Sequence, residues 1–230
     1  MNIIPAKTPE FVKSLFPNFV WTIPTDRKEL YLTFDDGPTP EISEWVLETI
    51  NNYNAKATFF CIGHNIASNP AIFSSMINQG HAIGNHTFNH LKGWKVKTQD
   101  YIEDIEATQE LMLKEVNTIT IKNKLSSTPP SAESLLKSKL FRPPYGKFKS
   151  TQSKIIQDKG YTIVLWDILS FDWDKSITGE QCLNNVISKA KPGSIVVFHD
   201  SLKAHKNLRF VLPKVLEHFS NKGYSFKAIY

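Results

Sequence analysis

Leu30-Tyr31-Leu32-Thr33-Phe34-Asp35-Asp36-Gly37-Pro38 is the stretch that decides the architecture. Its first five residues form a short apolar and aromatic run bounded by Gly-Pro, the signature of a buried strand. The run ends on two adjacent carboxylates. Two like charges side by side cost free energy unless something offsets them. A turn with a helix cap accounts for them structurally, since Asp-Gly-Pro suits a turn. A division of labour accounts for them chemically: one carboxylate binds a metal and the other stays free as a base.

Working outward, further strands are expected at Ala55–Ile62, His81–Asn85, Lys139–Arg142, Tyr161–Trp166, Ser194–His199 and Ser225–Ile229. Helical periodicity fills the intervals at Glu41–Tyr53, Ile66–Gln79, Thr98–Val116, Thr151–Lys159, Thr178–Ala190 and Arg209–Asn221. Gly80, Gly160 and Gly223 stand just past three of these helices, where a left-handed cap is needed. Strand and helix in alternation imply an α/β fold on a parallel sheet, open or closed into a barrel. Residues 117–138 (NTITIKNKLSSTPPSAESLLKS) break the pattern, being polar with Pro129–Pro130, and read as an inserted surface loop. Residues 1–29 read as a short N-terminal extension covering a catalytic domain of residues 30–230.

At 230 residues the chain can bury a full core without disulfides. Hydrophobic residues at 41% and charged residues at 21% exclude disordered and low-complexity classes. The net charge of +5 is too mild for a dedicated nucleic-acid binder. Cys61 and Cys182 are expected as reduced, buried thiols. No apolar run reaches the roughly 20 residues a membrane span needs, and residues 1–21 lack a leader's apolar segment. The expectation is a cytoplasmic chain with neither a membrane span nor a nucleic-acid partner.

Polar clusters stand at five strand exits: Asp35–Asp36, His86 with His90, Arg142, Asp172–Trp173, and His199–Asp200. In parallel α/β folds the carboxyl ends of the strands build the active site. His86 and His90 are spaced i, i+4, so on a helical turn both imidazoles share one face and need a third ligand, commonly a carboxylate. Arg142 can hold a carboxylate base ionised through a bidentate pair. Asp172 is the candidate partner that orients His199 and favours its protonated form, making it a proton donor to a leaving group.

Thr33-Phe34-Asp35-Asp36-Gly37-Pro38, His86-Thr87-Phe88-Asn89-His90, Arg142-Pro143-Pro144-Tyr145-Gly146, Asp172-Trp173 and Val197-Phe198-His199-Asp200 resemble, in order, the five motifs of the polysaccharide deacetylases, the NodB-homology group of carbohydrate esterase family 4. The resemblance implies a distorted (β/α)7 barrel and a metal-dependent hydrolase that removes N-acetyl groups from an N-acetylated glycan. It implies Asp36, His86 and His90 as ligands of one divalent ion, usually zinc, with Co2+ or another first-row ion as alternatives. Asp35 would be the general base, tethered by Arg142. The Tyr145 backbone N–H would stabilise the oxyanion. His199, paired with Asp172, would be the general acid, and Trp173 and Val197 would line the acetyl pocket.

Two positions depart from the pattern. Leu169 stands where many relatives carry an acid, and Leu91 where many carry proline. Asp167 is expected to make a structural bond. Trp21, Trp45 and Trp166 read as packing residues, and His64, His81, His205 and His218 as surface or packing histidines. Trp94, among Lys92, Lys95 and Lys97, reads equally as a sugar-facing lip or an ordinary loop. A catalytically silent glycan-binding homologue and an amidase acting on a non-sugar amide are the competing readings.

Overall fold

A computed structural model describes residues 5–122 and 138–230. Seven strands form one parallel path: β1 Glu29–Asp35, β2 Thr58–Cys61, β3 Ala82–Asn85, β4 Lys139–Phe141, β5 Tyr161–Ile163, β6 Ile168–Leu169 and β7 Ile195–His199. They are ordered β5-β4-β3-β2-β1-β7-β6, and β8 Ser225–Phe226 adds to the start of β1. Helices α2 Ile42–Asn51, α3 Gly63–Ser68, α4 Pro70–Asn78, α5 Thr98–Lys122, α6 Ser150–Asp158, α7 Gly179–Ile187 and α8 His205–Asn221 lie between the strands, and a short α1 Glu10–Leu15 precedes them.

The curled sheet stops short of closure between β5 and β6. The N-terminal segment bridges that gap. Val20 pairs with Val164 next to β5, while Lys7 pairs with Ile168 of β6. The Thr8 N–H donates to the Asp167 carbonyl at 2.8 Å and the Leu169 N–H to the Ala6 carbonyl at 2.7 Å. The extension therefore satisfies backbone groups that an open edge would leave unpaired. Asp167 anchors it. Its buried carboxylate takes Lys13 at 2.6 Å, Lys7 at 3.2 Å and the Ser194 hydroxyl at 2.6 Å, the structural task expected of it.

Strand alternation sorts β1 onto two faces. Leu30, Leu32 and Phe34 face outward into the main core, where Phe34 stacks between Phe59 and Phe198 at 5.1 and 5.8 Å. Helices cover that face through stripes such as Ile42, Val46 and Ile50 on α2 and Leu208, Val211, Leu212, Val215 and Phe219 on α8. Thr33 and Asp35 point the other way, toward Arg142. Cys61 and Cys182 are free and buried.

Four expectations need correction. The fifth strand ends at Ile163, and the two-residue β6 forms in what reads as a loop, because that edge pairs partly with the distant N-terminal segment. The helix expected over Ile66–Gln79 is two helices, interrupted where Asn69 precedes Pro70. Helix α5 continues to Lys122, so residues 117–122 of the expected loop are helical, while 123–137 lie outside the described residues. No helix is present at His86–His90, where the chain is a loop. Among the described residues no helix is long and apolar enough to cross a membrane.

Candidate active site

The exits of β1, β3, β4, β6 and β7 converge on one cleft of about 480 Å³. Register explains the convergence. Asp35 stands opposite His199 across β1 and β7, and Asn85 stands opposite Phe141 across β3 and β4, which puts His86 beside Arg142.

Asp35 and Asp36 go to different partners. Asp35 accepts from an Arg142 Nη at 2.7 Å. The guanidinium is fully buried, and its other donors reach the Thr33 hydroxyl at 2.7 Å, the Leu165 carbonyl at 2.9 Å and the Val164 carbonyl at 3.1 Å. Its Cζ lies 4.0 Å from the Phe60 ring centre. Asp36, at φ 82°, leaves the strand direction and turns toward the histidines. Its Oδ1 lies 3.4 Å from His90 Nε2 and 3.7 Å from His86 Nε2.

The loop carrying the histidines is held by backbone geometry and two polar anchors. Thr87 and His90 adopt φ 66° and 54°, a conformation uncommon for L side chains and concentrated at functional loops. Asp104 on α5 accepts from the Phe88 and Asn89 N–H groups at 2.7 and 3.0 Å and from the Asn89 side chain at 2.6 Å. Asn85 accepts from the Thr87 N–H at 2.8 Å. The rings of His86 and His90 end 5.1 Å apart, although no helix brings them there.

His86 Nδ1 lies 2.7 Å from the Arg142 carbonyl, so Nδ1–H donates and the Nε2 lone pair faces Asp36. Burial lowers the pKa of His86, and burial followed by the neighbouring His86 charge lowers that of His90 to about 4. Both rings are therefore neutral near pH 7, the form a metal requires. Burial opposes the charge on Asp36, but His199, His86 and His90 outweigh it and keep this carboxyl below its ordinary range. The three ligand atoms lie within 4.8 Å of one another. A four-coordinate ion about 2.1 Å from each ligand needs them about 3.4 Å apart, so the set fits a divalent metal.

On the opposite wall, His199 Nδ1 pairs with Asp172 Oδ1 at 2.9 Å, while Asp172 Oδ2 accepts the His199 backbone N–H at 2.8 Å. Burial lowers the pKa of His199, but the Asp172 charge and hydrogen bond override it and raise it to about 9, with Asp36 and Asp35 adding to the effect. Trp173 sets its ring edge against His199 at 4.6 Å, and Val197 and Leu169 line the cleft beside it. Tyr145, at φ 61° and 55% exposed, leans on His90 at 4.8 Å and on Trp94 at 5.6 Å.

Every residue singled out from the sequence for the site meets in this cleft or directly supports it. Other residues take roles here that the sequence does not assign them. Trp166, expected only to pack, forms a wall, and a Cβ on Gly146 would lie 2.3 Å from its ring. Asp104 carries no sequence signal, since it occupies one position on an ordinary helix face. Lys203 lines the cleft from an exposed turn. Asp200 is fully buried, accepts the Gly37 N–H at 3.1 Å and pairs with the Ser43 hydroxyl, bracing the turn after Asp36.

Comparison with known proteins agrees with this geometry. The polysaccharide deacetylase family profile matches residues 22–164. A peptidoglycan-N-acetylglucosamine deacetylase of Bacillus cereus is 32% identical over 209 residues, covering 90% of this chain and 69% of that one. A second from the same organism is 32% identical over 210 residues, covering 91% and 90%. The crystal structure of a peptidoglycan N-acetylglucosamine deacetylase in complex with 4-naphthalen-1-yl-N-oxidanyl-benzamide superimposes with a TM-score of 0.78 at 30% identity, covering 96% of this chain and 95% of that one. The fold is the curled NodB-type (β/α)7 half-barrel, and the chain belongs to the polysaccharide deacetylases of carbohydrate esterase family 4, metal-dependent enzymes that remove N-acetyl groups from glycans.

Proposed function

We propose that the chain deacetylates N-acetylglucosamine residues of peptidoglycan, using one Zn2+ held by Asp36, His86 and His90. One observation carries the reading: the two adjacent aspartates are split, Asp35 to a buried arginine and Asp36 to two neutral imidazoles. The peptidoglycan deacetylases among its relatives support the choice of substrate.

When bound, the ion supplies Lewis-acid activation of water and of the amide carbonyl. The chain's own groups do the rest. Asp35, oriented by its hydrogen bond from Arg142, takes the proton from the water that adds to the carbonyl carbon. The Tyr145 backbone N–H donates to the oxygen on which negative charge develops. His199 holds a proton at neutral pH and delivers it to the amide nitrogen as the C–N bond breaks, releasing acetate and a sugar amine. Trp173 and Val197, with Leu169, enclose the acetyl methyl and exclude water from it.

The test is Asp35→Asn assayed with N-acetylglucosamine oligomers, peptidoglycan fragments and small acetylated amides, with Zn2+ or Co2+ added. Acetate release should fall at least about 10²-fold while one metal per chain is retained. Normal turnover in that variant removes Asp35 from the role of base. A metal-loaded wild type that releases no acetate from either glycan is a silent binding homologue, and one active only on small amides is a different amidase.

A further inference from the structure

A second cavity, of about 670 Å³, adjoins the catalytic cleft between residues 175–180 and the start of α8. Lys203 forms part of the wall of both. A chain of sugars that extends from the cleft past Lys203 would run into this groove. Its volume falls within the roughly 300–1,000 Å³ that encloses ligands of such size.

The groove is built, not incidental. The Asn207 amide donates to the carbonyls of Asp172, Asp174 and Ile177 at 3.3, 3.4 and 3.3 Å, fixing one wall to α8. Gly179 packs so closely on Phe210 that a Cβ there would lie 2.5 Å from the ring. A capping box between Thr178 and Gln181 sets the start of α7.

Its charge is one-sided. Exposed Lys175, Lys203 and Lys206 line it with the half-buried His205. Against them stand two carboxylates. Glu180 stands on the exposed rim, hydrogen-bonded with Thr178 and close to Lys214, while both oxygens of buried Asp172 are engaged by His199. Asp174, which lies near Lys203, is tied to the backbone and hydroxyl of Ser176 at 2.9 and 2.7 Å. A neutral oligosaccharide offers these ammonium groups hydroxyl and carbonyl acceptors but no opposite charge.

We propose that this groove binds the sugar next to the one deacetylated and selects a carboxylate carried on that neighbour. The inference rests on the glycan N-deacetylase reading and deepens it. The carboxylate belongs either to an acid substituent on the sugar ring or to a peptide attached to it, and both present the same group to the lysines.

The test compares the wild type with Lys175→Gln/Lys206→Gln, in the metal-loaded full chain. The substrates are a neutral N-acetylglucosamine oligomer, a peptide-free glycan strand with ring-borne carboxylates, the same strand with those carboxylates converted to methylamides, and a peptide-bearing strand. The double variant should lose about three- to tenfold in kcat/KM on carboxylate-bearing strands, mainly through KM, with the neutral and amidated substrates within about twofold of wild type. The loss should shrink as salt is raised. Glu180→Gln should move kcat/KM on the anionic strands the opposite way. Loss on the peptide-free strand assigns the ring substituent; loss confined to the peptide-bearing strand assigns the peptide. An equal loss on all four substrates, or none on any, overturns the inference. A wild type inactive on every glycan overturns the parent reading instead, a result distinct from an active enzyme blind to charge.

Discussion

Replacing Arg142 by lysine keeps the positive charge and removes the planar fork, so it isolates what the fork does. Arg142 makes four hydrogen bonds from a fully buried position, to Asp35, Thr33, Val164 and Leu165. A lysine ammonium reaching Asp35 and Thr33 leaves the two carbonyls unpaired. At about 1.5 kcal/mol for each bond to a charged donor, the loss is about 3 kcal/mol. For a chain of this size that lowers the melting midpoint by about 6–12 °C. Catalysis should fall separately, by about 10²-fold, because Asp35 loses its fixed orientation. Metal content should hold, since the Arg142 contact that orients His86 comes from the backbone carbonyl. Thermal unfolding, acetate release and metal analysis on one preparation read the three effects. Arg142→Met completes the argument by leaving the Asp35 charge buried and unpaired, at a cost of about 3–5 kcal/mol, and adding Asp35→Asn should recover much of that stability without activity. A lysine variant with wild-type melting and turnover, or additive losses in Arg142→Met/Asp35→Asn, refutes the pairing as the source of either effect.

Turnover should decline as the pH rises through about 9, where His199 gives up the proton it would donate, and His199→Gln should be slow at every pH and lose that limb; an unchanged limb in the variant assigns the titration elsewhere. Burial raises the Asp200 carboxyl from 3.8 to about 8. The folded state thus holds a proton the unfolded state releases, so this contribution is complete below about pH 3.8 and is lost by about pH 8. Asp200→Asn should therefore flatten the stability–pH curve between pH 5 and 8 by at least about 1 kcal/mol, as measured by denaturant titration. Asp167→Ala should cost about 3 kcal/mol and raise amide exchange over residues 6–20, because it leaves Lys7 and Lys13 without their shared carboxylate; unchanged exchange there means the extension is held by its backbone bonds alone.

What could be read from the sequence was whatever breaks a local rule. A charge pair ending an apolar strand, or a histidine following one, conflicts with core patterning, and such conflicts mark sites. The strand exits were visible for that reason. His86 and His90 were paired through helical spacing, and the structure pairs them through two left-handed residues and the Asp104 anchor instead. Spacing alone does not distinguish those two routes. β6 leaves no signal because two residues paired with β7 are too few to show a side-chain period, and the N-terminal bridge leaves none because it rests on backbone bonds between residues far apart in the chain. Trp166 packs against the core as expected and also walls the cleft, because an aromatic side chain has the same sequence signature whether its ring meets core, cleft or both.

The division between the aspartates shows how little separates the two roles. Asp35 is the last residue of β1, two positions after Thr33, so alternation places both on the face where Arg142 lies. A regular strand would send the next residue to the opposite face, into the stacked aromatics around Phe34. A carboxylate there would be unpaired and desolvated. The turn at Asp36 avoids this: at φ 82° the strand ends, and its side chain swings toward His86 and His90. Asp200 secures the same turn through the Gly37 N–H, and Gly37 admits it because a Cβ there would lie 2.0 Å from the Asp200 carboxylate. The base and the metal ligand are thus made from adjacent identical residues by one backbone dihedral, and the small residue that follows them is what lets the buried carboxyl hold that dihedral in place.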